Sequence, residues 1–179
     1  MTSILALVGS LRADSVNRKL LDAVAAELPA GVELEIAQGL ADLPFYNEDL
    51  DGDAAPAAVT AVREKVAAAD RLLIVTPEYN GSTPAVIANV VDWISRPYGT
   101  GAIKDKPLAV VGTAVGQYGG KWAHDDTRKI AKVAGAAVVE DIAISHPYAW
   151  GTDPSGEADV VAQFVDAVAK LAAYEGVEA

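Results

Sequence analysis

The sequence predicts an α/β fold, a parallel sheet of five strands wound on both faces by five helices. Three observations predict it. Short apolar runs of strand length alternate with segments whose apolar residues recur at helical spacing. Each connection between runs is long enough for the helical crossover that parallel strands require. Unusual loop composition is confined to the segments after the first, third and fourth runs.

In chain order, Ser3 to Val8 is short, apolar and stops at Gly9-Ser10, as a buried strand does. From Ser15 the period turns helical, with Val16, Leu20, Val24 and Leu28 on one stripe, closed by Pro29-Ala30-Gly31. Val32 to Ile36 alternates as a second strand. Leu40 to Gly52 reads as a loop, although Leu43-Pro44-Phe45-Tyr46-Asn47 is unusually apolar for exposed chain. Ala57 to Ala69 is helical and carries Val59, Val62 and Val66; Arg71 to Thr76 is a strand stopped by Pro77. Helical spacing returns at Val86, Ile87, Val90, Val91 and Ile94. Pro107 to Val111 is a fourth strand entering the loop Gly112 to Gly120, and a helix follows to about Val133. A strand from Ala136 to Ile144 and a helix from Ala158 to Ala173 complete the pattern. With no linker or repeat, residues 1–179 read as one domain.

Composition narrows the function. Half the residues are hydrophobic (51%), enough for a packed core. The absence of cysteine excludes disulfides, iron–sulfur clusters, thiol nucleophiles and thiolate zinc sites. His124 and His146 stand far apart without companions at ligand spacing and read as surface or capping residues, so no metal is expected. A net charge of −11 argues against nucleic acid as a partner. Ile4 to Val8 is too short for a signal sequence, and no run approaches the roughly 20 apolar residues of a membrane span. The expected location is cytoplasmic. Against the acidic background, Arg12, Arg18 and Lys19 form a basic island opposed only by Asp14.

Ligands of doubly wound sheets sit beyond the carboxyl ends of the strands, which makes the three loops there the candidate site. With Ser15 as N-cap, Arg18 and Lys19 fall at the third and fourth helical positions, where cations oppose the helix dipole. The first amides of the helix also lack partners. A bound phosphate would answer both, with Arg12 pairing its charge and Ser10, Ser15 and Asn17 adding donors. The plain alternative is a capped helix with solvated basic residues. No Gly-x-Gly-x-x-Gly follows the first strand, and Gly120-Lys121 precedes Trp122 rather than Ser or Thr, which argues against Rossmann and P-loop sites.

In the second loop, Thr76 to Pro84, two prolines stiffen the chain and Asn80-Gly81 permits a turn with positive φ. Its backbone can read the edge of a planar heterocycle, with Tyr79 near the flat face. The alternative is an ordinary turn in which Ser82 or Thr83 caps the next helix. The third loop has four glycines in nine residues and presents Gln117 and Tyr118. It serves either close approach to a ligand, with Thr113 and Gly116 among the contacts, or plain flexibility.

The blocks Gly9-Ser10-Leu11-Arg12-Ala13-Asp14-Ser15-Val16-Asn17-Arg18-Lys19-Leu20 and Pro77-Glu78-Tyr79-Asn80-Gly81-Ser82-Thr83-Pro84, followed by Asn89, Asp92-Trp93 and Ser95-Arg96-Pro97, together resemble the NADPH-dependent FMN reductase family. That family includes quinone, azo-dye and chromate reductases, and the similarity runs in order over most of the chain. It implies a flavodoxin-like three-layer sandwich of strand order 2-1-3-4-5, binding FMN non-covalently. Ser10, Arg12, Ser15, Val16 and Asn17 would hold the phosphate end; Pro77, Glu78, Tyr79, Asn80 and Gly81 would line the ribityl chain and ring. The third loop departs from the family's frequent Ser-x-Gly-Arg-x-Gly-Gly, having Ala114-Val115-Gly116-Gln117-Tyr118-Gly119-Gly120. Loss of that arginine leaves open whether NADPH or NADH is the co-substrate.

The implied reaction is hydride transfer from the nicotinamide to flavin N5, then delivery of electrons to a small-molecule acceptor. It needs no acid or base from the protein in its first step, so no catalytic side chain is assigned, and Glu78 is expected to position rather than donate protons. The resemblance also implies a homodimer or homotetramer, with Leu43 to Tyr46 touching the neighbour. A flavodoxin-type electron carrier without NAD(P)H turnover is the alternative, although its Thr-rich phosphate loop is missing here. A response-regulator receiver would need acidic residues where Gly9-Ser10 stand.

Overall fold

The computed structural model describes residues 1–176, so the last three residues of the expected domain lie outside the described residues. Strands β1 (Thr2–Val8), β2 (Val32–Ile36), β3 (Arg71–Val75), β4 (Pro107–Val115) and β5 (Ala137–Tyr148) form one sheet in the order β2-β1-β3-β4-β5. Every neighbouring pair is parallel. The order reverses at β1, which places a crevice at the carboxyl ends of β1 and β3. This is the expected flavodoxin-like architecture.

Helices α1 (Val16–Ala26) and α5 (Ala158–Ala172) cover one face; α2 (Ala57–Ala68), α3 (Ala85–Ile94) and α4 (Lys121–Val133) cover the other. The central strands divide their side chains between the two cores with a period of two. Leu5, Leu7, Leu72, Ile74, Leu108 and Val110 face α2 and α3, while Ile4, Ala6, Leu73, Val75, Ala109 and Val111 face α1 and α5. Burial on both faces is why these strands read as unbroken apolar runs. The helical stripes hold within the helices, although Leu28, expected on the first stripe, falls beyond the end of α1. Leu20 and Val24 of α1, Val59, Val62 and Val66 of α2, and Ile87, Val90, Val91 and Ile94 of α3 are buried, each large side chain contributing about 1.5–3 kcal/mol.

Two strands outrun their expected limits. β4 continues to Val115, so Gly112, Thr113 and Ala114 are strand rather than loop, and β5 runs on to Tyr148 beside it. The pairing shifts register between Leu108, opposite Val138, and Val110, opposite Ala143. Gly112 suggested a break, but in a strand glycine also marks close backbone approach. A Cβ there would lie 2.2 Å from the Thr76 carbonyl oxygen.

The apolar stretch Leu43 to Tyr46, where a neighbour's contact was expected, packs in large part against its own chain. Leu43 is buried, and the Tyr46 ring packs edge-on to Trp93 with centroids 4.9 Å apart. Trp93 Nε1 donates to the Pro44 carbonyl at 2.8 Å, and Tyr46 N donates to Asn89 Oδ1 at 2.8 Å. Phe45 alone among its large side chains stays open, at 80% exposure. Among the described residues, no helix is long and apolar enough to cross a membrane.

Candidate functional site

At the first loop, Ser15 caps α1 as expected, its Oγ accepting from Arg18 N at 3.3 Å. Val16 and Asn17 open the helix, so their amides have no intrahelical acceptor, and no acidic side chain occupies the first turn. The basic island is less free than its composition suggests. Arg18 pairs with Asp22 at 3.3 Å, and Lys19 pairs with Asp14 and, at 3.1 Å, with Asp153. Arg12 makes only a 3.2 Å bond to the Asp14 carbonyl oxygen and has no carboxylate partner among the described residues. It lines, with Ser10, Arg18 and Gln38, a cleft of about 450 Å³ that no residue of the second or third loop borders.

Asn17 departs from expectation. Its Nδ2 donates to the Thr113 carbonyl and its Oδ1 accepts from Thr113 N, both at 2.9 Å and both buried. The side chain expected to reach a phosphate instead clamps the start of α1 to the end of β4, leaving its backbone amide for an anion. Thr113 is likewise turned inward, its Oγ1 donating to the His146 carbonyl at 2.7 Å.

The second loop makes the expected tight turn. Asn80 and Gly81 have φ of +54° and +71°, and Tyr79 and Ser82 bridge across it. The alternative in which Ser82 or Thr83 caps α3 fails, because Pro84 occupies the cap position. Both hydroxyls reach α4 instead: Ser82 Oγ donates to Asp126 Oδ2 at 2.8 Å, and Thr83 Oγ1 lies 2.9 Å from Thr127 Oγ1. Glu78 Oε2 accepts from Ala123 N at 3.2 Å, answering a free amide in the first turn of α4, whose cap residue Gly120 has no side chain to do so. Glu78 therefore positions the loop. The first loop lies hard against the second, since a Cβ on Gly9 would fall 2.1 Å from Thr76 Oγ1.

From the third loop, Gly116, Gln117 and Tyr118 stand exposed at the mouth of the sheet. Tyr118 pairs with Trp122, centroids 5.3 Å apart, and the Trp122 ring backs onto Gly81. With Gly116 and Gln117, Tyr148 and Trp150 line a recess of about 490 Å³. Trp122, Tyr148 and Trp150 went unassigned in the sequence. Trp122 stands two residues after the diglycine Gly119-Gly120, a signal that was available; Tyr148 and Trp150 arrive only through the length of β5. A hollow of about 540 Å³ between the far ends of α3 and α4 contains none of the three loops.

His124 is no surface residue. It lies in α4 at 0% exposure, with Nε2 2.8 Å from the Thr76 carbonyl oxygen and Nδ1 2.7 Å from Ser145 Oγ. Burial holds its pKa below the ordinary 6.5, against the bond to Thr76, which acts to raise it. Among the described residues, no cluster of three or more His, Cys, Asp or Glu could hold a metal.

Through the Gly9–Thr76 approach and the Asn17–Thr113 bonds, the helix N-terminus and the Arg12 guanidinium, held only by a backbone carbonyl, belong to segments adjacent to those that carry the half-exposed aromatic rim of Tyr79, Tyr118 and Trp122. That donor set and that rim fit a phosphate bearing a planar ring, as FMN is. Fold and site together define a flavodoxin-like flavin protein. The chain belongs to the NADPH-dependent FMN reductase family, whose model matches residues 2–151, and is an NAD(P)H-dependent oxidoreductase with FMN as cofactor. It is similar to a quinone reductase of Pseudomonas putida, 42% identical over 127 residues that cover 71% of this chain and 68% of the relative. A 2-hydroxy-1,4-benzoquinone reductase of a Burkholderia species shows the same 42% identity and the same coverage. Among solved structures, the flavoenzyme NAD(P)H:(acceptor) oxidoreductase FerB of Paracoccus denitrificans superposes with a TM-score of 0.82 at 32% identity, covering 99% of this chain and 100% of that one.

Proposed function

We propose that this protein reduces quinones at the expense of NAD(P)H, with residues 1–179 acting as one FMN-binding domain. The observation that carries the reading is the adjacency of the segments bearing Arg12 and the open start of α1 to those bearing an aromatic rim. Ser10, Arg12, Ser15 and the amides of Val16 and Asn17 hold the phosphate. Pro77 to Gly81 read the ring edge with their backbone, and Gly116, Gln117 and Tyr118 border the opposite side. FMN supplies two-electron chemistry between nicotinamide and acceptor. The protein fixes its orientation, and the rim of Tyr79, Tyr118 and Trp122 offers planar surface against which a nicotinamide and then a quinone stack. The quinone reductase relatives support this acceptor class.

The protein works in the cytoplasm, where the NAD(P)H pool lies, as a homodimer or homotetramer; exposed Phe45, Tyr98 and Val133 are large apolar side chains suited to a subunit contact. The test is to purify the protein, record its visible spectrum, and follow NADPH and NADH oxidation with benzoquinone as acceptor. Flavin absorbance with quinone-dependent oxidation is expected. A yellow protein that oxidises neither nucleotide would mark an electron carrier instead.

A further inference from the structure

We propose that His124 is a positioning residue for the flavin site, setting the backbone of Thr76 to Pro84 through its neutral imidazole. The proposal rests on the assignment of that loop to FMN and names the group that holds it in place. Thr76 immediately precedes Pro77, and its carbonyl can only accept, so the Nε2 at 2.8 Å carries the ring proton. Nδ1 is then an acceptor, and the Ser145 hydroxyl at 2.7 Å donates to it. One imidazole therefore ties the ends of β3 and β5 to the first turn of α4.

The surroundings are shaped around the ring. A Cβ at position 112 would lie 2.8 Å from His124 Nε2, and one at position 120 would lie 3.1 Å from it. Glycine at both positions leaves the imidazole a socket that alanine would fill. The same helical turn receives Glu78 at Ala123 N and Thr83 Oγ1 at the Ala123 carbonyl, 3.3 Å away. The first turn of α4 is thus the template on which the second loop is laid, with His124 its buried contact.

Protonation would reverse the Ser145 bond, with Nδ1–H then donating to the hydroxyl oxygen, and would place a charge in the buried socket. The charged groups acting on the ring are Glu78 from the second loop and Asp125 and Arg128 from α4; Ser145 of β5 and Thr76 beyond β3 contribute hydrogen bonds only. Burial keeps the neutral form.

The test compares H124Q and H124N. The Gln amide reaches the place of Nε2 and keeps a donor for Thr76; the Asn amide reaches only the place of Nδ1 and loses it. Amide hydrogen exchange across residues 77–84 of the FMN-free protein reads the loop directly, and FMN titration from about pH 5 to 8 reads the site. H124N should exchange faster there and bind FMN about 10-fold more weakly, while H124Q stays close to wild type at neutral pH. Wild type should lose FMN affinity more steeply than H124Q as pH falls through the folded-state pKa of His124, which lies below the ordinary 6.5. Unchanged exchange in H124N, or an identical acid response in H124Q, would overturn the positioning role. Faster exchange in H124N with no FMN binding by any form, wild type included, would overturn instead the assignment of the loop to flavin.

Discussion

Asn17 and Thr113 exchange two buried hydrogen bonds, each 2.9 Å, across 96 residues of chain. This amide clamp joins the first turn of α1 to the carboxyl end of β4, and so ties the elements that carry the first and third loops. Asn17→Ala would leave the Thr113 N–H and carbonyl without those partners. The expected loss is about 1–3 kcal/mol for an unsatisfied buried group, measured by urea unfolding. A change below about 0.5 kcal/mol, typical of surface substitutions, would contradict the clamp.

Arg12 in the first loop and Arg18 in the first turn of α1 differ in what already holds them. Arg18 has Asp22, whereas Arg12 has one backbone carbonyl. Arg12→Ala should weaken FMN binding by about 1.5–3 kcal/mol, the worth of a hydrogen bond to a charged group. Arg18→Ala should cost much less. Fluorescence titration of both variants checks this, and equal losses would show that Arg12 is not the phosphate's partner.

Gly112→Ala tests how tightly the strand ends are packed. The added carbon would lie 2.2 Å from one backbone oxygen and 2.8 Å from the His124 ring. Neither retreats without moving β3 or α4, so a loss of about 1–3 kcal/mol or more is expected. Gly156→Ala, with open space around its site, should leave thermal unfolding nearly unchanged. Similar melting temperatures for the two variants would sink the prediction.

Acid should destabilise the fold through His124. Its folded-state pKa lies below the ordinary 6.5 because the ring is buried, so the unfolded chain takes up a proton at a pH where the folded chain does not. Stability from this group is complete above about pH 6.5 and declines as pH falls below that value. Urea midpoints for wild type and H124Q across that range should diverge on the acid side. Parallel curves would show that the ring contributes nothing to acid sensitivity.

What the sequence could show follows the distance over which each feature is encoded. The Ser15 cap, the Asn80-Gly81 turn and the stripes of α2 and α3 are decided within a few residues by hydrogen-bonding reach, backbone sterics and periodicity. All were legible. The ends of β4 and β5 were not, because Gly112 resembles a loop signal until β5 and the Thr76 carbonyl are set beside it.

The sequence alone determined that alternating strands and helices bury a parallel sheet on both faces, and that the first loop presents a helix start flanked by an arginine. Tertiary structure decided which polar side chains remain available. Asn17 and Thr113 are consumed by each other, Ser82 and Thr83 by α4, and His124 by Thr76 and Ser145. Arg12 is left with a backbone carbonyl and, among the described residues, no carboxylate. The physical reason is that a hydrogen bond depends on reach in space. Partners 21 to 96 residues apart come within reach only once the crossovers have set the strand order and register.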